Sequence, residues 1–411
     1  MNRALSDWTT ERLKNRVRFA YGDSLAAENR NDGDVPVFGS NGPVGFHDKA
    51  ITSGQTIVIG RKGSFGKVTW SDGACFPIDT TYFVDNTQTK ENLRWLCYAL
   101  ENLQLDTVNF DSAVPGLSRE IAYSLRLSFP PRHQQERIAA YLDASCEAID
   151  AAVTAKRRQL GILDELRKTV AQQVLSNGLR LGLKLKDSAI ESIGLVPTHW
   201  DVKQLRYACA VNYGITLQLE QGQSVGDGVR ILTVSNLTID GNLDLADEYY
   251  IDSAKLTAED YLRGGDLLFN WRNGSQYHVG KTAFFDLEGE VTHVSFLLRL
   301  RCRHNMDPFF LRTYLSILKD VGFFSGAKDK VNKTFNSTEL KRLRVVIPPM
   351  DEQKEICREI EKRSEEIKKV GATITRQIET LIAYRKSLIH ECVTGQQRVT
   401  EADLSTATQR T

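Results

Sequence analysis

Two stretches of ten residues decide the organisation of this chain, FPPRHQQERI at Phe129–Ile138 and IPPMDEQKEI at Ile347–Ile356. In each, a proline pair stands directly before a run typical of a helix. Proline keeps the preceding chain extended and supplies a preset φ at the first helical position, where its missing N–H costs nothing. Each stretch therefore predicts an extended segment that passes abruptly into a helix.

The two stretches belong to a longer internal repeat. Residues 125–178 align with residues 343–396 without a gap, at a spacing of 218 positions. The residues of the first copy that are identical in the second are Leu125, Arg126, Pro130, Pro131, Gln135, Ile138, Glu147, Ile149, Arg158, Gln159, Leu163, Arg167 and Lys168. Weaker similarity precedes both copies. It places Trp8, Tyr21 and Gly22 at positions equivalent to Trp200, Tyr213 and Gly214. Similarity over such a length indicates one structural unit written twice.

The helix of each copy carries a heptad pattern, with apolar residues in alternating steps of four and three. Such a seam buries itself against another helix of the same period, and the other copy is the obvious partner. We expect an antiparallel coiled coil in which the polar residues Gln159 and Gln377 are buried and fix the register. Two exposed amphipathic helices are the alternative. The expected seam residues are Ile138, Leu142, Ile149, Gln159, Leu163, Ile356, Ile360, Ile367, Gln377 and Leu381.

Composition sets the frame for the rest of the chain. At 411 residues it exceeds what one core usually serves, so two or more domains are expected. With 41% hydrophobic and 26% charged residues it reads as globular, and its apolar runs are too short to cross a bilayer. The N-terminus has no secretory pattern and the seven cysteines show no metal-binding spacing, so a cytoplasmic protein with reduced thiols is expected. The net charge of +1 does not identify a partner.

The segments outside the helices, about 1–128 and 195–345, predict mixed α/β domains, which we call the first and second heads. Each contains a glycine-rich basic loop after an apolar run, IGRKGSFGK at Ile59–Lys67 and NWRNGSQYHVGK at Asn270–Lys281, and Arg61 aligns with Arg272. Basic and amide side chains can bind phosphates and base edges, and glycine allows a close approach. A nucleotide cradle and an unliganded basic hairpin are the alternatives. The nucleotide motifs are missing, and the recurrence of the loop favours nucleic acid.

Two other stretches are weaker candidates for contact with DNA. FGSNGPVGFHDKA at Phe38–Ala50 contributes Ser40, Asn41, His47 and Lys49, and a structural turn cluster explains it equally well. GAKDKVNKTFNS at Gly326–Ser337 contributes Lys330, Asn332 and Lys333, with a solvated surface loop as the alternative. A tandem chain with antiparallel helices has approximate two-fold symmetry, and this symmetry suits a duplex target with two half-sites.

The proline pairs with their following Gln, the loop GRKGSFGK, the stretch VFGSNGPVGFHDK and the opening VPTHWDVKQL resemble the specificity subunit of type I restriction-modification enzymes. The resemblance implies a non-catalytic subunit whose heads each read half of a bipartite, asymmetric DNA target. It implies that the paired helices set the spacer and dock methyltransferase subunits, two being expected, with restriction subunits joining through the complex. S-adenosylmethionine, ATP and magnesium are expected only in those partners, so this chain should carry no cofactor.

The resemblance also implies site residues and domain bounds. The DNA contacts that it implies in the two basic loops are Arg61, Lys62, Ser64, Lys67, Arg272, Asn273, Ser275 and Lys281. The Gln276–His278 insertion departs from the family-like loop, and we expect its Tyr277 to contact DNA as well. The fold class is α/β (α+β), a tandem repeat with pseudo-two-fold symmetry. The expected divisions are a first recognition domain at 1–128, a helix at 129–180, a linker at 181–194, a second recognition domain at 195–346, a helix at 347–396 and a disordered tail at 397–411.

Catalysis is the main rival to a reading function. An adenine methyltransferase needs an Asn-Pro-Pro-aromatic or similar segment, and neither proline pair of this chain is followed by an aromatic residue. Glu352 and Lys354 imitate the end of a nuclease motif, but the first copy has Gln134 and Glu136 there, and a helix start explains both. A coiled-coil scaffold or a stand-alone DNA-binding protein without restriction partners remains the alternative, and a scaffold leaves the paired basic loops unexplained.

Overall fold

The structure is a computed structural model that describes residues 7–107, 116–180, 182–216, 228–272, 278–325 and 334–408. The chain forms two compact units. Unit 1 comprises residues 1–158 and 374–411, and unit 2 comprises residues 159–373. Each unit therefore contains one head with part of both long helices, whereas the sequence predicted helical domains separate from the heads.

In its described residues, the first half of the chain alternates short strands with three α-helices. Its strands are β1 (Thr9–Arg12), β2 (Ala20–Tyr21), β3 (Val35–Gly39), β4 (Gly42–His47), β5 (Thr56–Gly60), β6 (Val68–Ser71), β7 (Phe76–Pro77), β8 (Thr81–Val84) and β9 (Arg126–Phe129). Its helices are α1 (Leu93–Asn102), α2 (Arg119–Ser124) and α3 (Arg132–Asn177).

The second half repeats this order with insertions. Its strands are β10 (Leu185–Asp187), β11 (Leu195–Pro197), β12 (Asp201–Gln204), β13 (Cys209–Tyr213), β14 (Val229–Leu232), β15 (Tyr250–Ile251), β16 (Leu267–Asn270), β17 (Thr282–Phe284), β18 (Val291–His293), β19 (Leu297–Cys302) and β20 (Arg344–Ile347). Its helices are α4 (Pro308–Asp320), α5 (Ser337–Arg342), α6 (Met350–Val393) and α7 (Glu401–Thr408).

The two long helices begin where the proline pairs predict. Helix α3 starts at Arg132 and α6 at Met350, each directly after the second proline. The backbone amides of Gln135 and Gln353 donate to the carbonyls of Pro131 and Pro349, at 3.1 and 3.0 Å, and so close the first turn. With 46 and 44 residues, the helices are about 69 and 66 Å long at 1.5 Å per residue.

The burial of both helices follows the predicted heptad, except that two of the ten predicted seam positions lie one residue later. Ile138, Leu142, Ile149, Ile356 and Ile360 are buried, and Leu163, Ile367 and Leu381 are half-buried. Gln159 and Gln377, which were expected inside the seam, are exposed. The neighbouring Leu160 and Ile378 turn inward instead, because an amide without a partner costs more to bury than an apolar side chain.

The first head contains two small sheets, one antiparallel and one mixed, with α1 packed beside them. Strands β2, β8, β5 and β6 form one sheet in that spatial order, and β4, β3 and β7 form another. Helix α1 buries Trp95 and Leu96 together with Ile57 and Ile59 of β5. Asn92 caps α1, since its side chain accepts a hydrogen bond from the amide of Trp95 at 2.9 Å.

The second head repeats the main sheet in the order β13, β19, β16 and β17, and adds a smaller sheet of β15, β14 and β18. Its core extends into the long helices. Val174 and Leu175 of α3 and Ile356 of α6 belong to the same buried cluster as Trp200 and Leu315 of the head. This shared core explains why the helices divide between the units and do not form a domain of their own.

An equivalent antiparallel strand pair closes each head. Strand β1 pairs antiparallel with β9, with Thr9 opposite Phe129, and β12 pairs with β20, with Asp201 opposite Ile347. Just before each pair an indole is tied to the start of a long helix: Trp8 Nε1 donates to Gln134 Oε1 and Trp200 Nε1 to Glu352 Oε2, both at 2.9 Å. The predicted correspondence of the two tryptophans is confirmed.

A buried glutamine links each head to the long helix that follows it. Gln135 Oε1 accepts from the amide of Asn92, the cap of α1, at 2.8 Å, and its Nε2 donates to the carbonyl of Pro130 at 2.9 Å. Gln353 repeats this with the amide of Asp307, the cap of α4, and the carbonyl of Pro348, both at 2.8 Å. These side chains are 1% and 0% exposed, so the proline pair and its glutamine orient the head helix.

An arginine from the other long helix contacts the same head helix. Arg385 Nη1 of α6 donates to Glu101 Oε1 of α1 at 2.9 Å, within unit 1. Arg167 Nη2 of α3 donates to Asp320 Oδ2 of α4 at 3.1 Å, within unit 2. The two arginines are identical residues of the repeat, 218 positions apart. Each head helix is therefore held by equivalent residues of both long helices.

Two predicted irregular segments are folded. The expected linker 181–194 contains β10, which pairs with β11, and its Ile190 and Ile193 are buried in the core of unit 2. Apolar side chains placed in this way anchor a segment that composition alone assigns to a linker. The expected disordered tail forms α7, whose N-terminus is capped by Thr400 and Asp403 through reciprocal side chain to backbone hydrogen bonds.

Candidate nucleic-acid interface

The first basic loop, residues 61–67, joins β5 to β6 and is closed by backbone hydrogen bonds. The amide of Gly66 donates to the carbonyl of Gly60 at 2.8 Å, and the amide of Gly60 donates to the carbonyl of Lys67 at 2.9 Å. Gly66 has φ +77°, and a Cβ there would lie 2.1 Å from the amide nitrogen of Asp106. Only glycine fits this position, so the backbone shape of the loop does not depend on its basic side chains.

The first basic loop and the turn at Ser40 and Asn41 converge. Lys67 Nζ donates to both the backbone carbonyl and Oδ1 of Asn41, each at 2.8 Å. A Cβ on Gly63 would lie 3.5 Å from Ser40 Oγ. Lys62 and Ser64 are exposed beside them. The structure thus brings together residues from two stretches that the sequence treated as separate candidates.

His47 and Lys49, predicted with Ser40 and Asn41, do not join this cluster. His47 is 6% exposed, its Nδ1 accepts from the amide of Asn31 at 3.1 Å, and its Nε2 lies 3.1 Å from Asp48 Oδ1. The ring also packs edge-on against Phe76 at 5.6 Å. Lys49 is exposed but follows the far end of β4 from the turn. His47 is therefore a structural residue, because its polar atoms are used inside the head.

Tyr21 forms an aromatic platform next to the first basic loop. The guanidinium carbon of Arg61 lies 5.2 Å from its ring centroid, and that of Arg119 lies 4.8 Å away. The Tyr21 and Tyr82 rings are 5.1 Å apart, and burial, assisted by Tyr21, raises the pKa of Tyr82 to about 12. Tyr82 therefore remains a neutral phenol, and the charge of this surface is that of its cations.

The second basic loop is closed by the same two backbone hydrogen bonds, which we call the loop frame. The amide of Gly280 donates to the carbonyl of Asn270, and the amide of Asn270 to that of Lys281, both at 2.8 Å. Gly280, with φ +88°, is as constrained as Gly66, because a Cβ would lie 2.4 Å from the ring of Phe324. This pattern pairs Lys281 with Lys67 of the first head, as the alignment predicted.

The backbone hydrogen bonds of the two loops correct one predicted pairing of residues between the heads. The amide of Leu117 donates to the carbonyl of Arg61 at 2.9 Å, and the amide of Phe335 donates to the carbonyl of Trp271 at 2.8 Å. Leu117 and Phe335 are 218 positions apart. Trp271 therefore takes the place of Arg61, and Arg272 that of Lys62. The alignment of Arg61 with Arg272 was wrong by one residue, because matching like side chains hid part of the insertion in the second loop.

The second head differs from the first in the side chains on this frame. Trp271 meets Tyr213 edge-on at 5.5 Å and donates from Nε1 to the carbonyl of Ser295 at 2.7 Å. The guanidinium carbon of Arg272 lies 5.8 Å from the ring centroid of Phe296, which is 46% exposed. Aromatic side chains thus replace part of the positive charge found in the first head.

Lys281 is not the exposed contact that the sequence predicted. Its side chain is 6% exposed, and Nζ donates to the carbonyl of Leu237 at 3.3 Å. Burial, followed by the charge of Lys319, lowers the pKa of Lys281. Although its backbone position matches that of Lys67, its side chain turns inward onto the backbone of Leu237. Lys281 supports the loop from inside.

Six predicted contacts lie outside the described residues, namely Asn273, Ser275, Tyr277, Lys330, Asn332 and Lys333. The residues that flank them do come together, since Arg272 pairs with Thr334 in an antiparallel bridge. Lys62 and Gly116 form the matching bridge in the first head.

Sequence reasoning missed several side chains beside the loops. Tyr21 and Tyr213 were noted only as echoes of the repeat, and Arg119, Trp271 and Phe296 were not considered. The available signal was the Tyr-Gly pair itself. A Cβ on Gly22 or Gly214 would lie 2.1 or 2.2 Å from a backbone carbonyl, so these glycines fix the preceding tyrosine in the same place in both heads.

The chain matches one protein-family model twice, once in each copy of the repeat. The model of the type I restriction modification DNA specificity domain matches residues 6–159 and again residues 200–380. The chain belongs to the type I restriction-modification specificity family. Its two specificity domains coincide with the two heads and the helix that follows each, so the duplication read from the proline pairs is a duplication of the family domain.

Two relatives of this specificity-family chain have curated names. The putative type I restriction enzyme MjaX specificity subunit of Methanocaldococcus jannaschii is 31% identical over 209 residues, 49% of this chain and 47% of the relative. The type I restriction enzyme EcoBI specificity subunit of Escherichia coli is 22% identical over 329 residues, 75% of this chain and 66% of the relative. The matched regions span less than two thirds of the length of either relative.

Solved structures share the fold of this specificity-family chain. A chain from a structural study of complex assembly and conformational transition in the type I R-M system covers 95% of it at a TM-score of 0.71, with 99% of that chain covered and 14% identity. The HsdS subunit from Thermoanaerobacter tengcongensis gives a TM-score of 0.55 at 14% identity, covering 95% of this chain and 98% of its own. The tandem mixed α/β architecture is therefore that of known structures.

The described residues contain neither a metal site nor a membrane-spanning helix. No group of histidine, cysteine, aspartate and glutamate side chains in this part of the chain is placed to hold a metal ion. No helix in the described ranges is both long and apolar enough to span a membrane.

Proposed function

We propose that this chain is the non-catalytic DNA-recognition subunit of a type I restriction-modification complex, in which each head reads one half of a bipartite, asymmetric target. The observation that carries the proposal is the repeated loop frame. It places a basic side chain at equivalent positions, Lys62 and Arg272, but surrounds each with different neighbours. A shared backbone with unlike side chains suits two related reading sites with different base preferences.

The long helices set the separation of the half-sites in this proposal, as an antiparallel coiled coil. Contacts within each unit support the pairing. In unit 1, Arg385 Nε of α6 lies 3.4 Å from Asp150 Oδ1 of α3. In unit 2, a Cβ on Gly371 of α6 would lie 3.9 Å from Leu160 of α3. The position on α6 falls as the position on α3 rises, which is the order expected of antiparallel helices.

Partner subunits complete the proposed complex. The long helices keep apolar side chains exposed, among them Ile162, Leu166, Val370 and Tyr384. Exposed apolar side chains on helices favour docking of another protein. We assign this role to two methyltransferase subunits, with restriction subunits joining through the complex. S-adenosylmethionine, ATP and magnesium then belong to the partners, which carry adenine methylation and DNA cleavage.

Methylation mapping tests the reading function. The chain is co-expressed with modification subunits of a type I system, and methylated adenines are mapped across a plasmid library. We expect a bipartite motif, and Arg272→Gln should relax one half of it while the other half stays intact. Arg206→Gln is the matched control, because its guanidinium also lies on an exposed ring, that of Tyr207 at 5.0 Å, but is far along the chain from both loops.

The outcomes separate this proposal from its rivals. An unchanged motif after omission of this chain would contradict a recognition role and favour a scaffold. Methylation of DNA from S-adenosylmethionine by the purified chain alone would contradict a non-catalytic subunit.

Insertion of one heptad into both helices tests the spacing role. The insertion sites are the boundaries between the units, after Arg158 in α3 and after Thr373 in α6. Seven residues add about 10.5 Å of helix, or roughly three base pairs, and keep the buried stripe nearly in phase. We expect the mapped motif to keep both half-sites with a spacer about three base pairs longer. A change in either half-site sequence, with the spacer unchanged, would contradict the idea that the helices set the spacing.

A further inference from the structure

Two guanidinium groups share one exposed tyrosine ring in the first head. Arg61 and Arg119 lie 5.2 and 4.8 Å from the ring centroid of Tyr21, which is 48% exposed. The two arginines come from different elements, the first basic loop and the start of α2. The backbone hydrogen bond from the Leu117 amide to the Arg61 carbonyl, at 2.9 Å, holds these elements together.

Neither guanidinium on this ring forms an ion pair with another of the described residues. Among these, no carboxylate oxygen lies within 4 Å of the guanidinium of Arg61 or Arg119, whereas Arg16 and Arg94 of the same head each have such a partner. The exposed Lys62 adds another positive charge next to Arg61. Like charges held together in this way repel each other, so the site is most stable when an anionic or electron-rich acceptor binds to it.

The geometry favours a directional contact over simple charge attraction. A guanidinium placed over an aromatic face keeps its N–H fork free in its own plane, where it can bond to two acceptors. The Tyr21 ring is fixed because β2 pairs with β8 and Gly22 has no room for a side chain. A fixed fork loses little freedom on binding, and the O6 and N7 atoms of guanine present the matching pair of acceptors in the major groove.

The described residues of the second head form a different arrangement around the equivalent tyrosine. The residue equivalent to Arg119 is Ser337, 218 positions on, and its amide donates to Tyr213 Oη at 3.2 Å. Trp271 stands where the first head has Arg61. The Tyr213 platform is therefore occupied by an amide and an indole, so paired guanidinium groups distinguish the first head from the second.

We propose that Arg119 is a base-reading residue of the first head, held with Arg61 on the Tyr21 platform, and that it bonds to a guanine in the half-site that this head reads. This inference rests on the proposed function and adds the chemical class of one recognised base. Tyr21 acts as a positioning residue, since it touches no base itself and orients the two guanidinium groups.

The test replaces single guanines of the mapped target with 7-deazaguanine, which lacks the N7 acceptor. Affinity of the full chain, assembled with its modification subunits, is measured for each duplex by fluorescence anisotropy at fixed salt. Arg119→Gln should weaken binding to the intact target about 5- to 150-fold. At one guanine the penalty for 7-deazaguanine should be large with the wild-type protein and absent with the variant. Tyr21→Phe should keep that penalty, and Tyr21→Leu should reduce it.

Controls separate a reading role from a folding role. Arg206→Gln should leave the penalty at every guanine unchanged, and thermal unfolding of Arg119→Gln should match the wild type. The inference is overturned if the variant keeps all guanine penalties, or if it weakens binding equally on target and randomised duplexes, which marks a phosphate contact. If the wild-type complex itself does not distinguish target from randomised DNA, the proposed function fails first.

Discussion

The buried glutamines that follow the proline pairs offer the sharpest test of how the heads are held. We predict that Gln353→Ala loosens the attachment of α4 in unit 2, and that Gln135→Ala does the same to α1 in unit 1. Gln159→Ala and Gln377→Ala are matched controls, because these glutamines lie on the same two helices with exposed side chains. All four substitutions remove the same atoms.

The structure supplies the expected magnitude. Gln353 makes three hydrogen bonds, accepting from the amide of Asp307 at 2.8 Å and donating to the carbonyls of Pro348 at 2.8 Å and Asn305 at 3.0 Å. Each is worth about 1 kcal/mol net, and the groups left behind are buried without partners. With the methylene also removed, we expect a loss of about 3–5 kcal/mol. The exposed controls should change stability by no more than about 0.5 kcal/mol.

Hydrogen exchange resolves the effect by unit, which global unfolding of a chain with two units does not. Peptides that cover the start of α1 or of α4 are followed in the full chain by mass spectrometry. A loss of about 3–5 kcal/mol speeds exchange by about 150- to 5,000-fold when the loss is local. Gln353→Ala should act on the α4 peptide and Gln135→Ala on the α1 peptide. The reasoning is refuted if Gln353→Ala alters exchange no more than Gln377→Ala does.

Three further predictions concern unit 2 and the basic loops. Burial alone would raise the pKa of Glu352, but the hydrogen bonds from Trp200 and His199 together outweigh it and lower that pKa. Unit 2 should therefore lose stability as the pH falls through the carboxyl range. In thermal melts at different pH values, Glu352→Gln should flatten this dependence. Burial lowers the pKa of His293 to about 4, so stability should fall by roughly 3 kcal/mol between pH 6.5 and 4 in urea unfolding, and His293→Leu should remove this loss. Lys67→Gln should reduce the salt slope of DNA binding by about 1, whereas Lys281→Met, which alters a buried side chain, should leave it unchanged.

The starts of the long helices could be predicted because their signal is local. A proline pair restricts the chain whatever surrounds it, and both helices begin on the next residue. Predicting the heptad seam requires a choice between adjacent positions. Because Gln159 and Gln377 are identical residues of the repeat, they were chosen in place of the neighbouring residues that turn inward. Repetition marks positions that share a role, but it does not say whether that role is buried.

The candidate site could be predicted only in part, because the loops are fixed by contacts distant in sequence. Lys67 meets Asn41, and Lys281 is enclosed next to Leu237, although the two lysines occupy the same place in the backbone frame. No local pattern distinguishes an exposed lysine from a buried one after an insertion. The exposed aromatic platform was missed for a related reason, since a tyrosine beside a glycine is common and gains meaning only when an arginine packs on it.

In each head, the atoms that fix the backbone of the basic loop differ from those that we expect to contact DNA. Backbone hydrogen bonds and glycines without room for a Cβ hold the frame, so the side chains of Arg61, Arg119 and Arg272 are free to differ without cost to the fold. Recognition can therefore change while stability stays constant. The reverse holds at Gly66 and Gly280, where any side chain would meet backbone or ring atoms, so a substitution there should disturb the frame and with it every contact that the loop makes.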